Sequence, residues 1–200
     1  MKILVTGFEP FGGESRNPSA EVVNALPDRI AGADIVKLIL PVERYECVLR
    51  VEEAVRKHFP RVVLSIGQAG GRAAVTVEQM AVNLEDYSMP DNGGNQPRDE
   101  EVIPGGPDGY LTELPVRAMV EAMIRAGVPA ARSMTAGTFV CNHLLYAVRH
   151  RCGPSVKNGF IHIPYLPQQV TEKPGMPSMS LELSLRAVEA AIEAIVLHQE

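Results

Sequence analysis

Cysteine and histidine are the side chains of this chain that could carry nucleophilic chemistry, because an imidazole can take the proton of a thiol. Cys141 lies in the stretch TAGTFVCNH, after a predicted strand and a glycine-containing turn, where a helix is predicted to begin. The free N–H groups and partial positive charge of a helix N-terminus favour a thiolate and can hold an oxyanion. We therefore expect a lowered thiol pKa and take Cys141 as the candidate nucleophile. The alternative is an inert cysteine that packs in the core.

His162 is the candidate base among the five histidines. It lies near the carboxyl end of the apolar strand FIHI, whose neighbours offer its ring nitrogens no partner. The alternative is a core histidine bonded to a backbone carbonyl. His143 follows Cys141 by two residues and would point to a different helix face. The other three are predicted near helix ends, where a cationic or solvated role is expected: His58, His150 and His198.

A carboxylate that orients the imidazole would complete a catalytic triad. Glu78 lies in the apolar strand VTVEQMAV, where a buried charge must find a partner. Asp86 and Asp91 follow in the next loop. Spacing alone does not decide which of these three carboxylates orients the imidazole.

Two glycine-rich turns, GFEPFGG and GQAGGR, each follow a predicted strand. Phosphate-binding loops occupy such places, but neither turn has the GxGxxG or GK[ST] pattern of a nucleotide site. The side chains predict a small apolar pocket instead, walled by Phe8 and Phe11, with amide hydrogen bonds from Gln68 and Asn17. The alternative is a pair of tight turns with both phenylalanines in the core.

Alternating apolar runs and helical patterns must position these side chains. Strands are predicted at residues 3–6, 34–40, 62–67, 75–84, 131–135 and 159–163, and helices at 18–26, 43–59, 114–126, 141–151 and 181–198. Asn17 is predicted to cap the first of these helices. Residues 87–109 are rich in Gly, Pro, Asn and Asp and form a long irregular segment that we expect to be functional or mobile. The alternation predicts an α/β fold, a three-layer sandwich with a mostly parallel sheet and helices on both faces. Loops at the carboxyl ends of such strands carry the site.

Composition narrows the class of protein further. The 200 residues, 46% hydrophobic and 22% charged, are typical of one globular domain spanning 1–200. A net charge of −5 without a basic stripe argues against a nucleic-acid partner. No apolar run is long enough for a membrane span, and the N-terminus does not resemble a signal peptide. Three cysteines without zinc-site spacing indicate a reducing cytoplasm and no metal.

Five motifs occur in the order found in one enzyme family. They are GFEPFGG with NPS, IGQAGGR, VEQMAVN followed by MPDN, TAGTFVCNH, and FIHIPYLPQQ. Together they span nearly the whole chain and resemble the pyroglutamyl peptidase I family of cytosolic cysteine peptidases. The resemblance implies that Cys141 is the nucleophile, His162 the general base and acid, and Glu78 the orienting carboxylate.

The resemblance also implies a pocket for a pyroglutamyl ring, lined by Phe8, Phe11, Met89, Phe139 and Val140, with a hydrogen bond from Asn17 and with Gln68 nearby. It implies an exopeptidase that needs no cofactor, removes N-terminal pyroglutamate from peptides, and assembles as a homotetramer. Three features depart from the family pattern. Gln79 stands where an arginine usually follows the glutamate, Met89 replaces the commoner isoleucine, and the connection from Cys141 to His162 is short and contains Cys152.

Two other functions fit the residues alone. A nucleotide-dependent α/β enzyme would use the two glycine turns, and a nucleotide would raise its melting temperature. A non-catalytic binding module would have the same fold with an inert Cys141, and its thiol would react no faster than free cysteine. Cys47 is predicted within a helix and Cys152 just after one, and neither position favours the thiol as a nucleophile.

Overall fold

The computed structural model describes residues 1–198. Within them the chain forms nine strands, where six were predicted, and five α-helices, which occur where the sequence predicts them. In chain order these are β1 (Lys2–Phe8), α1 (Pro18–Ala25), β2 (Arg29–Ile30), β3 (Ala33–Leu40), α2 (Glu46–His58), β4 (Val62–Gln68), β5 (Val75–Glu78), β6 (Met80–Val82), β7 (Gly109–Leu111), α3 (Val116–Arg125), β8 (Ala130–Ser133), α4 (Val140–Cys152), β9 (Lys157–Ile163) and α5 (Leu181–Leu197).

Seven strands form the main sheet in the order β2-β3-β1-β4-β9-β5-β8. The pairs from β3 to β9 are parallel, whereas β5 runs antiparallel to β9 and β2 antiparallel to β3. The sheet is therefore mixed and mostly parallel. His162 of β9 lies in register with Gly67 of β4 on one side and with Thr76 of β5 on the other.

Helices cover both faces of this sheet, so the predicted three-layer sandwich is confirmed. Alternate residues of the central strands face opposite layers. Ile3, Leu64 and Ile161 join one buried cluster with α1, α3 and α5. Leu4 and Phe160 join the other, with α2 and α4.

The prediction of one strand over residues 75–84 is wrong. The segment forms β5 and β6, which belong to different sheets, since β6 pairs with β7. Gln79 separates them: its N–H donates to the Ser133 carbonyl at 2.7 Å, and its carbonyl accepts from Thr112 N at 2.9 Å. The N–H of Gln79 thus continues the pairing with β8 and its carbonyl begins the pairing with β7, so the chain changes sheets at this residue.

The irregular segment 87–109 is held in place by buried groups. Tyr87 is fully buried and its hydroxyl donates to Glu85 at 2.5 Å. Asp91 is also buried and accepts hydrogen bonds from the backbone N–H groups of Arg44, Gly93 and Asn95. The segment is therefore anchored to the loop that precedes α2.

Among the described residues, no helix combines the length and the apolar character needed to cross a bilayer.

Candidate active site

The main sheet presents a row of functional side chains to α4. Residues 76 and 78 of β5, 160 and 162 of β9, and 67 of β4 alternate with residues of the opposite core cluster, so they face the layer that contains α4. His162 and Glu78 are both near the carboxyl ends of their strands. Cys141 is the second residue of α4.

Glu78 and His162 form a buried pair. His162 Nδ1 lies 2.8 Å from Glu78 Oε1, and the two side chains are 5% and 0% exposed. Antiparallel pairing puts Glu78 opposite Phe160, two residues from His162, and diagonal neighbours of this kind are within reach of each other. The structure therefore brings together the imidazole and the carboxylate that the resemblance implies.

Two further groups contact the same carboxylate oxygen. Arg72, in the turn after β4, donates from Nη1 to Glu78 Oε1 at 2.8 Å and also to Thr76 Oγ1. Thr76 Oγ1 is 3.3 Å from Glu78 Oε1. No sequence pattern marked Arg72, although its partners Thr76 and Glu78 lie only four and six residues further along the chain. The need of a buried Glu78 for a partner was the available signal.

Opposing effects set the charge states of the pair. Burial raises the pKa of the Glu78 carboxyl, but the hydrogen bond and charge of His162, with further contacts from Ser133 and Arg72, outweigh it and leave that pKa below its ordinary value. Burial lowers the pKa of His162, and the neighbouring Glu78 only partly restores it. At neutral pH the glutamate is ionised and the imidazole is neutral.

Cys141 lies half-buried at the start of α4. The expectation of a lowered thiol pKa is wrong. Burial, followed by the negative charge of Glu78, raises the pKa of the Cys141 thiol to about 12, while Arg72 and the backbone N–H of Cys141 oppose the shift. Desolvation outweighs the helix dipole here, because the dipole supplies only a partial charge. At rest the Cys141 thiol and the His162 imidazole are therefore both neutral.

Asn142 fixes the helix start that carries Cys141. Its side chain accepts from Val82 N at 2.9 Å and donates to the carbonyls of Val82 and Leu84 at 2.8 and 3.0 Å. It is fully buried, so these bonds tie α4 to β6 and the residues after it. An asparagine after a cysteine gave no signal of this role in the sequence.

Cys141 lies in the wall of a narrow, mostly apolar slot. Its lining residues are Phe8, Phe11, Asn17, Val42, Gln68, Phe139, Val140 and Cys141. The slot holds about 230 Å³ of atom-free space when its open mouth is counted. A slot of this size suits a small group.

The polar groups of the slot also stabilise the fold. Asn17 caps α1, because its Oδ1 accepts from Ser19 N at 3.0 Å, as predicted, and its Nδ2 donates to Glu9 O at 2.9 Å. An amide nitrogen carries two hydrogens, so Asn17 retains a second donor. Gln68 Oε1 accepts from Gln169 Nε2 at 2.8 Å.

Met89 is the one predicted pocket residue that does not line this slot among the described residues. A Cβ added at Gly12 would lie 3.0 Å from the Met89 methyl. Met89 therefore packs against the turn that follows Phe11, beside the slot.

The other candidate acids and bases have partners elsewhere. Asp86 pairs with Arg98 at 3.2 Å, and Asp91 bonds its own loop. His143 Nδ1 lies 2.9 Å from Glu85, in a buried cluster that also contains Arg44. His162 is thus paired with Glu78 and with neither aspartate.

The remaining cysteines are free thiols in different surroundings. Cys47 is fully buried on α2, and burial raises its thiol pKa strongly. Cys152 is half-buried at the last turn of α4. Within residues 1–198, no group of three or more His, Cys, Asp and Glu side chains is placed to hold a metal ion.

Comparison with known proteins assigns the family. A sequence model described as pyroglutamyl peptidase matches residues 1–198. The chain belongs to the pyroglutamyl peptidase family. Among curated family members, the pyrrolidone-carboxylate peptidase of Levilactobacillus brevis is 50% identical over 200 residues, covering 98% of each chain. The crystal structure of pyroglutamyl peptidase I from Bacillus amyloliquefaciens matches with a TM-score of 0.95 at 43% identity, covering 100% of this chain and 96% of that one. The pyrrolidone carboxyl peptidase of Thermococcus litoralis has a TM-score of 0.94 at 36% identity, covering 98% and 94%. The family consists of cysteine peptidases.

Proposed function

We propose that this chain is a cysteine exopeptidase that hydrolyses the bond after an N-terminal pyroglutamyl residue of a peptide. The observation that carries the proposal is the buried Glu78–His162 pair on the sheet face that is covered by α4, whose Cys141 lines an apolar slot. Family membership supports the substrate class, since relatives at about 50% identity are pyrrolidone-carboxylate peptidases. It favours a peptidase over a nucleotide-dependent enzyme.

The tautomer of His162 follows from the charge on Glu78. An ionised carboxylate only accepts hydrogen bonds, so Nδ1 carries the proton that is donated to Oε1. Nε2 then has the free lone pair that takes the proton of Cys141. Because both groups are neutral at rest, His162 acts as a general base during attack rather than as half of a preformed ion pair.

The thiol sulfur attacks the pyroglutamyl carbonyl carbon as His162 takes the thiol proton. The carbonyl oxygen becomes an oxyanion, held by backbone N–H groups at the start of α4. No side chain caps that turn among the described residues, and the first intrahelical bond runs from His143 N to Phe139 O. The tetrahedral intermediate collapses, the C–N bond breaks, and His162 gives its proton to the leaving amine. Water, deprotonated by His162, then hydrolyses the thioester and releases pyroglutamate and the free thiol.

The slot explains why a lactam is accepted and a free amino terminus is not. Pyroglutamate is a small, flat, neutral ring, which Phe11 and Phe139 can cover, and Asn17 offers a donor to a lactam oxygen. A charged α-ammonium group would lose its hydration in this slot without gaining a carboxylate partner.

Hydrolysis of pyroglutamyl-aminomethylcoumarin tests the proposal. We expect turnover by the wild type, a loss of at least about 10³-fold in Cys141→Ser, and little change in Cys152→Ser, the same substitution at the other end of α4. Prolyl-aminomethylcoumarin, which has the ring but carries a charged amine, should be a poor substrate. Absence of wild-type turnover, or equal turnover by Cys141→Ser, would overturn the proposal. A folded wild type without turnover would favour the binding module, whereas slow reaction of Cys141 with iodoacetamide would not, because a thiol that is neutral at rest is expected to react slowly.

We also propose, from family resemblance, that the chain is a single cytoplasmic domain that assembles as a homotetramer and needs no cofactor. Light scattering of the purified protein tests the assembly. A monomer at micromolar concentration would contradict it.

A further inference from the structure

Arg72 lies in the turn after β4, residues 69–72, which is hydrogen-bonded to the strand that carries His162. Ala69 N donates to Ile163 O at 2.9 Å, and Arg72 N donates to Ala69 O at 3.4 Å. Tyr165 covers the same turn so closely that a Cβ added at Gly70 would lie 2.4 Å from the ring. These contacts hold the backbone of Arg72 near the carboxyl end of β9.

The guanidinium of Arg72 shares one oxygen with the imidazole. Glu78 Oε1 lies 2.8 Å from Arg72 Nη1 and 2.8 Å from His162 Nδ1. Thr76, opposite His162 across the β5–β9 pairing, accepts from the same Nη1. The second oxygen, Oε2, is buried and forms no geometrically good hydrogen bond within residues 1–198. Arg72 and Thr76 therefore act on the oxygen that meets the imidazole.

We propose that Arg72 is a positioning residue of the triad: with Thr76, it holds Glu78 in the orientation in which Oε1 meets His162. The inference rests on the proposed function, because it gives Arg72 a part in that reaction through Glu78. Arg72 does not line the slot, so the inference assigns it no contact with the lactam ring.

The charge of Arg72 acts on the other two members as well. His162 faces Glu78 from β5 and Arg72 from the turn after β4. Both of these charges act on the pKa of the Cys141 thiol on α4, and Cys47 of α2 lies near Cys141. Arg72 lowers the pKa of His162 and of Cys141, whereas Glu78 raises both. Loss of the guanidinium should therefore raise both pKa values.

The test compares Arg72→Gln and Arg72→Lys with Arg132→Gln, an exposed arginine of the adjacent strand β8. For Arg72→Gln we expect a loss of about 10- to 100-fold in kcat with KM within about twofold of wild type, since partners of this kind orient a reacting group. The acidic limb of the kcat/KM profile should move to higher pH. Arg72→Lys keeps the positive charge, so the acidic limb of the kcat/KM profile should lie at the wild-type pH, but only part of the wild-type kcat should be recovered. Arg132→Gln should match wild type.

A second measurement does not depend on the substrate. The pH profile of iodoacetamide alkylation at Cys141, followed by peptide mass spectrometry, should shift to higher pH in Arg72→Gln, so that at a fixed, mildly alkaline pH the variant reacts more slowly than wild type. Because alkylation needs no substrate, this measurement tests the role of Arg72 even if wild type fails to cleave pyroglutamyl substrates. That failure would count against the proposed function alone.

Thr76→Val keeps the β-branched shape and serves if Arg72→Gln fails to fold. It should lower kcat about three- to tenfold at unchanged KM, because Arg72 loses its acceptor. The proposal is overturned if Arg72→Gln leaves kcat and both pH profiles unchanged, if it changes only KM, or if a folded Thr76→Val has wild-type kcat.

Discussion

Gly67 sets the space in which the His162 ring sits, and Gly67→Ala tests that arrangement. A Cβ added there would lie 2.7 and 2.8 Å from Phe160 Cε1 and Cζ, and 3.1 Å from His162 Cδ2. Phe160 is fully buried, and its ring centroid is 4.7 Å from that of His162. The new methyl group therefore pushes on two rings that also touch each other.

The size of the effect follows from these contacts. Ordinary contact begins at 3.4 Å, so Phe160 must withdraw by about 0.7 Å and His162 by about 0.3 Å. Overpacking of a core in this way costs about 1–3 kcal/mol, which lowers the Tm of a chain of this length by about 2–12 °C. A displacement of a few tenths of an ångström at a reacting group should lower kcat about tenfold or more.

Gly159→Ala is the matched control. Gly159 is on the same strand as His162 but faces the other layer, where a Cβ would lie 2.3 Å from Leu114 Cδ1. It should lower the Tm while leaving kcat near the wild-type value. Thermal unfolding and steady-state kinetics on the coumarin substrate measure both quantities. Wild-type kcat in Gly67→Ala, or an equal loss in Gly159→Ala, would refute the reasoning.

Four further predictions concern the charges and walls of the site. Glu78→Gln removes the charge that keeps the proton on His162 Nδ1, so kcat should fall by about 10³-fold or more, and near-normal turnover at pH 7 would contradict the assigned tautomer. Phe11→Ala opens one wall of the slot and should raise KM about tenfold with kcat largely kept; an unchanged kcat/KM would remove Phe11 from the substrate contacts. The pKa of His162 lies below its ordinary value of 6.5, so the acidic limb of kcat/KM should lie below pH 6.5. The depressed pKa of Glu78 stabilises the fold above pH 4.5, so wild type should lose its Tm advantage over Glu78→Gln as the pH falls through the folded pKa.

The alternation of strands and helices is local information, and it predicted the layers correctly. The break at Gln79 was not predictable, because the alternating pattern continues through it and the change of partner from β8 to β7 depends on residues distant in sequence, Ser133 and Thr112. The two-residue strand β2 is too short to have a pattern of its own.

The site was predictable to the extent that its signals were local. Cys141 and His162 stood out by their positions at a helix start and a strand end. The residue pattern alone did not distinguish Glu78 from Asp86 and Asp91 as the orienting carboxylate, and only the family resemblance selected Glu78. Arg72 was missed although Thr76 and Glu78 follow it by only four and six residues, because the turn that directs its side chain onto β5 is not evident from the sequence. The thiol pKa was misjudged because burial is a tertiary property, whereas the helix dipole can be inferred from sequence.

Asn17 joins two requirements in one amide group. Its oxygen starts α1, and its nitrogen carries the spare donor that faces the slot. Aspartate could still cap the helix but would present a negative charge to the ring, and serine could cap it without reaching as far. Substrate preference at this position therefore cannot drift independently of helix stability, and any attempt to redesign the slot for a different ring must leave Asn17 in place or supply a new helix cap.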